Sequence, residues 1–523
     1  MNTSTEPWIP IVWADGQPGT VSLCEAFERG EDIRDVAVRP HERIAVMRLL
    51  ICTAQASLDG PNDGDEWKAC RSKIAPAARD YLKRWHKAFE LLGDGPRFLQ
   101  VEGLKKPADK EDDDGNSVSK LDLALATGNN STLFDNGGGS DREFSTGRLA
   151  LGAVTFQCFS PGGRIGVAKW HKTPTPGKGS SDHAPCIAGS MLHAVVRGDS
   201  LLDTIHRNLM SKDQVARFFG QNTWGKPVWE YMPAKLSDKP AIQNATQSYL
   251  GRLVPLSRSI RLADDCRSLI LANGLEYPEW REPTATIVTR QINNQPTRVA
   301  LRADVKKAAW RELHALAVIA VDKNSNGGPA AMQNVADGGA FDLWVGGLAA
   351  NKAKLEDTTE SVFHVPAAML GERSQRVYEV GVKHSERAEY RLHKAISTYR
   401  LTMETSERDL GGINRRLATL KKPERDRLRS LSARATEQFW TDVEQALSEL
   451  LGIAENPEKL GQPADWHKTD WGKAVWSAMR AAYEHACPHD TPRQMRAYAL
   501  GLNTLHFTPT ESSSTTANDK ETE

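Results

Sequence analysis

Val345-Gly346-Gly347-Leu348-Ala349-Ala350-Asn351-Lys352-Ala353-Lys354 is the stretch around which this chain is organised. It follows the apolar run Phe341-Asp342-Leu343-Trp344 and precedes the acidic pair Glu356-Asp357. Adjacent glycines permit backbone angles that other residues avoid, so the stretch reads as a sharp turn carrying a tip away from the body of the protein. The tip is small and polar: an amide, two ammonium groups and no large apolar side chain. That suits a probe of a narrow anionic space such as a nucleic-acid groove. An ordinary solvated turn is the commoner meaning of a lone Gly-Gly; the rest of the chain decides between the two.

At 523 residues the length fits two to four domains with a large core. Lys+Arg and Asp+Glu both number 67, so any basic surface must be local. The seven cysteines are scattered without a C-x-x-C pair, which argues for a reducing compartment and against a cysteine zinc site. No apolar run approaches the roughly 20 residues needed to span a bilayer, and Met1–Glu6 lacks a signal pattern. The expectation is a cytoplasmic protein without a membrane partner.

Pro7–Trp13 reads as extended by its prolines, turning at Asp15-Gly16. Pro40 opens a helix with Ile44, Met47, Ile51, Ala54 and Leu58 as its buried stripe. Residues 66–93 read as another helix, Pro96–Gln100 as a short strand, and 148–158 as a strand or helix. From 127 to 180 regular periodicity gives way to loops, among them 127–140 and Ser160-Pro161-Gly162-Gly163-Arg164-Ile165-Gly166, and long irregular loops mark function or disorder. Residues 190–220 read as helical and 224–302 as β-rich. In that region strands fall near 250–262 and at 284–289, with Asp264-Asp265-Cys266-Arg267 as a hairpin tip. A helix is expected at 304–321.

Beyond residue 366 helices follow one another at 371–405, 410–420, 423–452, 468–486 and 492–501. Ala388, Leu392, Ala395, Tyr399 and Met403 share one face of the first; Lys383, Arg387, Arg391 and Lys394 share another. Over 373–434 there are 16 Lys/Arg against 8 Asp/Glu, a one-sided surplus that favours a polyanion contact. The fold class is therefore α+β. A large mixed N-terminal domain (1–366) precedes an up-and-down four-helix bundle (367–506) and a disordered tail (507–523). The fourteen tryptophans fall mostly at core spacing. No phosphate-cradling, nucleophile-elbow or metalloprotease motif is present. His489-Asp490 sits between prolines and reads as surface, so the chain is expected to be neither an enzyme nor bound to a cofactor or metal.

Taken together the chain resembles the CasA family, the large subunit of Cascade in type I-E CRISPR systems. Trp8-Ile9-Pro10-Ile11 resembles the family's opening. Leu49–Gln55 and Pro96–Gln100 resemble two internal motifs. The order of Asn-rich loop, Gly loop, β region, Gly-Gly stretch and bundle matches over nearly the whole length. The resemblance implies recognition of the short motif (PAM) beside the target in double-stranded DNA, read in the minor groove. It further implies a wedge that parts the first base pairs for R-loop formation, with no catalysis. Carried over, the wedge is Asn351, Lys352 and Ala353, with Lys352 standing where the family's best-described member has glutamine. The PAM-proximal Gly loop is Ser160, Pro161, Gly162 and Gly163, and the hairpin cation Arg267. The flexible loop holds Asn130, Leu133 and Phe134, docking toward the guide RNA 5′ end. Lys383, Arg387, Arg391 and Lys394 are expected to hold the DNA backbone. Implied partners are target DNA, guide RNA, the backbone, small and RNA-end-capping subunits of Cascade, and a helicase–nuclease recruited afterwards. Two other classes stay open: a helical scaffold subunit that binds proteins only, and a divergent metal hydrolase built on His489 and Asp490.

Overall fold

Gly346 and Gly347 lie inside a β-strand, which corrects their reading as a turn. Phe341–Asn351 pairs antiparallel with Lys354–Val365 on one side and Leu192–Arg197 on the other, forming the centre of a three-stranded sheet. The chain reverses only after Asn351. The glycines serve close approach. A Cβ on Gly346 would lie 2.5 Å from the Trp344 ring, and one on Gly347 would lie 2.8 Å from the Met191 carbonyl oxygen.

The computed structural model describes residues 1–106, 115–125, 142–163, 165–176, 184–335, 339–351, 354–405, 409–460 and 463–505. It divides into two compact units, Met1–Leu370 and Gly371–Glu523.

In the first unit, Ile9–Trp13 pairs with Pro18–Val21 and Ile33–Val36, turning where Gly16 takes a φ of +86°. Helix Pro40–Leu58 begins at its proline, but it is buried on nearly all sides rather than along one stripe. Burying Arg48 there requires compensation, and Glu282 supplies it. The carboxylate lies 2.9 Å from Arg48 and 2.8 Å from Arg252, with all three side chains at most 4% exposed. Burial alone would raise the Glu282 pKa, but the two guanidiniums outweigh it and hold the carboxyl below its ordinary range.

Several expected elements differ. The single helix over 66–93 is instead Gly64–Ala69, Arg71–Arg84 and a 3-10 turn at His86–Phe89. The break at Cys70 lets Trp67 stack on His206 at 4.6 Å while Ala78 and Leu82 face the core. Pro96–Gln100 forms no strand. Leu99 has a φ of +54°, and side chains replace the ladder: Arg97 donates to the Leu262 carbonyl and Gln100 accepts from the Leu262 amide. Residues 148–158 belong to helix Thr146–Phe159, whose Ser145 cap accepts from the Arg148 amide.

Leu192–Arg197 is a strand, not the start of a helix. With only Leu192, Ala194, Val195 and Val196 apolar, so short a run is ambiguous by period, and its two β-branched valines fit the sheet. Residues 250–253 close helix Tyr249–Leu253, and the strand begins only at Arg258. The strand expected at 284–289 runs from Ile287 to Ile292, and 304–321 holds only Ala309–Glu312 and Leu313–Leu316.

The second unit is helical throughout: Glu372–Glu404, Leu410–Thr419, Lys422–Leu431, Ala433–Gln445, Leu447–Glu455, Asp470–Ala486 and Pro492–Leu505. The helix expected over 423–452 is interrupted at Ser432 and Ala446. Ser432 Oγ donates to the Arg429 carbonyl and accepts from His393, which competes with continued helix. Its four longest helices form the bundle, locked where Gly501 admits the Tyr483 hydroxyl and Trp471 donates to the Gly381 carbonyl. None of the fourteen tryptophans is exposed, in keeping with their reading as packing residues. The tail 507–523 lies outside the described residues.

Candidate nucleic-acid interface

The long hairpin is clamped just before its end. Ser190 Oγ accepts from the Ala350 amide and donates to the Ala350 carbonyl, both at 2.9 Å. One hydroxyl thus stands in for a neighbouring strand where Leu192–Arg197 has stopped. Ser190 does this in the left-handed region, at a φ of +56°, a strained conformation that packed surroundings must impose. A register shift between Ala349 and Ala350 adds a local bend at the same point. Asn351 ends the strand opposite Lys354; Lys352 and Ala353 lie outside the described residues.

The Gly loop joins the same short segment. Ser160 caps helix Thr146–Phe159, and its carbonyl accepts from the Ala184 amide, directly before the 3-10 turn Pro185–Ser190. The segment 184–190 therefore bonds Ser160 at one end and Ala350 at the other. Ser160 and Gly162 are buried, while Pro161 and Gly163 are half-buried. Arg258 donates to the Pro161 carbonyl at 2.8 Å, and Ser257 Oγ lies 3.3 Å from Ser160 Oγ. Gly163 has a φ of +149°, which favours glycine. Behind both elements His193 is fixed as a neutral tautomer. Nε2–H donates to the Cys186 carbonyl and Nδ1 accepts from Thr284. Burial lowers its pKa to about 4, against the Cys186 hydrogen bond, which favours the cation.

Arg267 is not brought to this pair by any described contact. It occupies the turn between Arg258–Leu262 and Ser268–Asn273, roughly 17 Å along the strands from Arg258. Its exposed guanidinium pairs with Glu143 at 2.5 Å. Asn130, Leu133 and Phe134 lie outside the described residues.

In the second unit Lys383, Arg387 and Lys394 are exposed on helix Glu372–Glu404 and Arg391 is half-buried. Lys383 also pairs with Glu379. Burial, with Arg387 and Arg391 nearby, lowers the His384 pKa to about 4. Further along, Leu401 is covered by Ile413, Leu420 and Leu428. Between the two lies a cavity of about 900 Å³ lined by Tyr390, Lys394, Lys422, Arg425, Arg429 and the single carboxylate Asp426. Tyr390 is 71% exposed. Sequence reading missed this groove, although Tyr390 falls within about 20° of Lys383 on the helical wheel and so carried a signal. His489 lies against the Tyr498 ring at 4.5 Å, and among the described residues no three His, Cys, Asp or Glu side chains gather as a metal-ligand set. Among those residues, too, no helix is long and apolar enough to cross a membrane.

A model of the family described as CRISPR-associated protein Cse1 matches residues 2–482. A curated CasA/Cse1 protein of Thermus thermophilus is 26% identical over 413 residues, covering 74% of this chain and 75% of that protein. Solved structures share the fold. Thermus thermophilus CasA (Cse1) gives a TM-score of 0.71 at 20% identity, over 97% of this chain and 98% of that one. Cse1 from Acidimicrobium ferrooxidans gives 0.72 at 20% identity, over 97% and 96%. A chain of a CRISPR RNA-guided surveillance complex gives 0.66 at 15% identity, over 97% and 99%.

Proposed function

The chain belongs to the CRISPR-associated Cse1 family, and from that premise we propose that it is the large subunit of a type I-E Cascade surveillance complex. In that role it reads the PAM in the minor groove of target DNA and wedges the duplex open for guide-RNA pairing. The observation that carries this reading is the shared segment 184–190, which ties the Gly loop at Ser160 to the hairpin near its tip at Ala350. Parting base pairs requires a tip that does not recoil, and a clamp on both backbone groups of Ala350 resists recoil. Unstacking costs a few kcal/mol per step, which contacts beside the wedge must offset. A degenerate minor-groove pattern suits a backbone-led reader that tolerates several PAM sequences. The basic face of Glu372–Glu404 would hold DNA phosphates without reading bases. The other Cascade subunits and the guide RNA 5′ end are its partners, and the helicase–nuclease is recruited after the R-loop forms.

Replacing Asn351, Lys352 and Ala353 together tests the wedge within the reconstituted complex. Assembly should persist, R-loop formation on linear duplex should fail, and a pre-opened bubble target should restore it. Normal R-loop formation on intact duplex by the triple variant would refute the reading.

A further inference from the structure

A second cationic feature stands in the first unit, apart from the wedge and the bundle. Arg281 and Arg298 converge on one backbone oxygen, each donating to the Ser325 carbonyl at 2.9 Å. Arg281 also donates to the carbonyls of Asp322, Gly327 and Gly328, and Arg298 to that of Lys323. Two guanidiniums therefore meet at a turn made of neutral acceptors. Among the described residues neither has a carboxylate within ion-pair distance, and neither does the Lys323 ammonium. Asp322 acts on Arg281 from nearby, but its Oδ1 accepts from the Asn324 and Ser325 amides. Burial and the neighbouring Arg298, only partly offset by Asp322, lower the Arg281 pKa to about 10.

These three cations line a cavity of about 780 Å³. Glu276 and Glu279 line it as well, and Glu282 is already held by Arg48 and Arg252. Arg298 is exposed and uses one terminal nitrogen, so its remaining N–H groups are available to a ligand. The pair's charge is only partly offset, which favours an anion; Arg281 supplies field while its terminal N–H groups stay on the carbonyls, and the remaining N–H groups of Arg298 suit the oxygens of a phosphate. We propose that Arg281, Arg298 and Lys323 form a binding site for a phosphate group, free or carried by a nucleic-acid strand. This site does not depend on the wedge reading, since phosphate capture here needs no duplex opening.

The test uses the full chain and pyrophosphate, titrated by calorimetry at low salt. One saturable site is expected. Arg298→Gln and Lys323→Gln should each weaken it about tenfold, the effect of losing one charge-assisted hydrogen bond. Arg298→Gln should also melt no lower than the parent in phosphate-free buffer, because it removes repulsion and leaves Arg281 on its carbonyls. Competition by tetrathymidylate with and without a 5′-phosphate then identifies the source. Competition by both marks a chain phosphate, by the phosphorylated form alone a terminal one, and by neither a small phosphate ligand. Absence of saturable binding, or binding unchanged in Arg298→Gln, would overturn the proposal while leaving the wedge test untouched.

Discussion

Gly346→Ala separates a glycine needed for a turn from a glycine needed for space. A new Cβ would meet two ring carbons of Trp344 at 2.5 and 2.6 Å and the Thr359 carbonyl oxygen at 3.0 Å, whereas ordinary contact starts near 3.4 Å. The indole must therefore retreat by about 0.9 Å. It has little freedom to do so. Trp344 is 1% exposed, its Nε1 donates to Glu360 at 2.6 Å, and Arg43 lies 5.4 Å from its ring centre. Overpacking of this kind costs about 1–3 kcal/mol, and a rigid, fully buried ring places this site toward the upper end. Urea unfolding followed by tryptophan fluorescence reads the loss. Trp344→Leu deletes the colliding atoms, so the alanine should cost at least about 1 kcal/mol less in that background. A neutral Gly346→Ala, or an equal cost in both backgrounds, would refute the packing argument. A turn glycine would behave in that second way, because its penalty would come from φ and not from Trp344.

Acid should destabilise the first unit through two buried imidazoles. Burial lowers His41 and His193 to about 4, against roughly 6.5 in an unfolded chain. Above 6.5 neither state binds these protons. As pH falls from 6.5 to 4 the unfolded chain takes them up and the fold does not, so stability falls by up to about 1.4 kcal/mol per pH unit for each histidine. His193→Gln should flatten urea-midpoint curves over that window, and an unchanged slope would contradict it. In the bundle, reversing the charge of Arg387 and Arg391 should lower the log–log salt slope of DNA binding by about 0.7 to 0.9 for each phosphate no longer neutralised. PAM preference should stay intact; an unchanged slope or a shifted preference would assign this face to another partner.

The bundle was legible because its apolar residues repeat at helical spacing over long segments, as Leu392, Tyr399, Trp471 and Met479 do. The first unit was less so. Leu192–Arg197 is too short for period to separate helix from strand, and Pro96–Gln100 is held by side-chain bonds to Leu262, far along the chain. Gly346-Gly347 stands out in the sequence but is ambiguous there, since two glycines give the same local signal whether they serve a turn or make room for an indole. The meeting of Ser160 and Ala350 on one short segment left no mark in the sequence at all, because it needs a contact from Ser160 to Ala184 and another from Ser190 to Ala350, 160 positions on.

The serine clamp also sets a length. Ala350 is held at both backbone groups and faces Leu355 across the hairpin, leaving four residues, Asn351 to Lys354, to go out and return. Two residues each way extend no more than about 7 Å, while a minor groove is roughly 7.5 Å deep. On the proposed reading, the hairpin is a gauge whose zero mark is Ser190: its backbone reaches at most about the depth of the groove, so base pairs are parted from the groove side and not by passage through the stack. Each added pair of residues would lengthen it by about 3.4 Å. Depth of entry is then governed by the number of residues beyond the clamp, and substitutions that keep that number should change affinity before they change where the duplex opens.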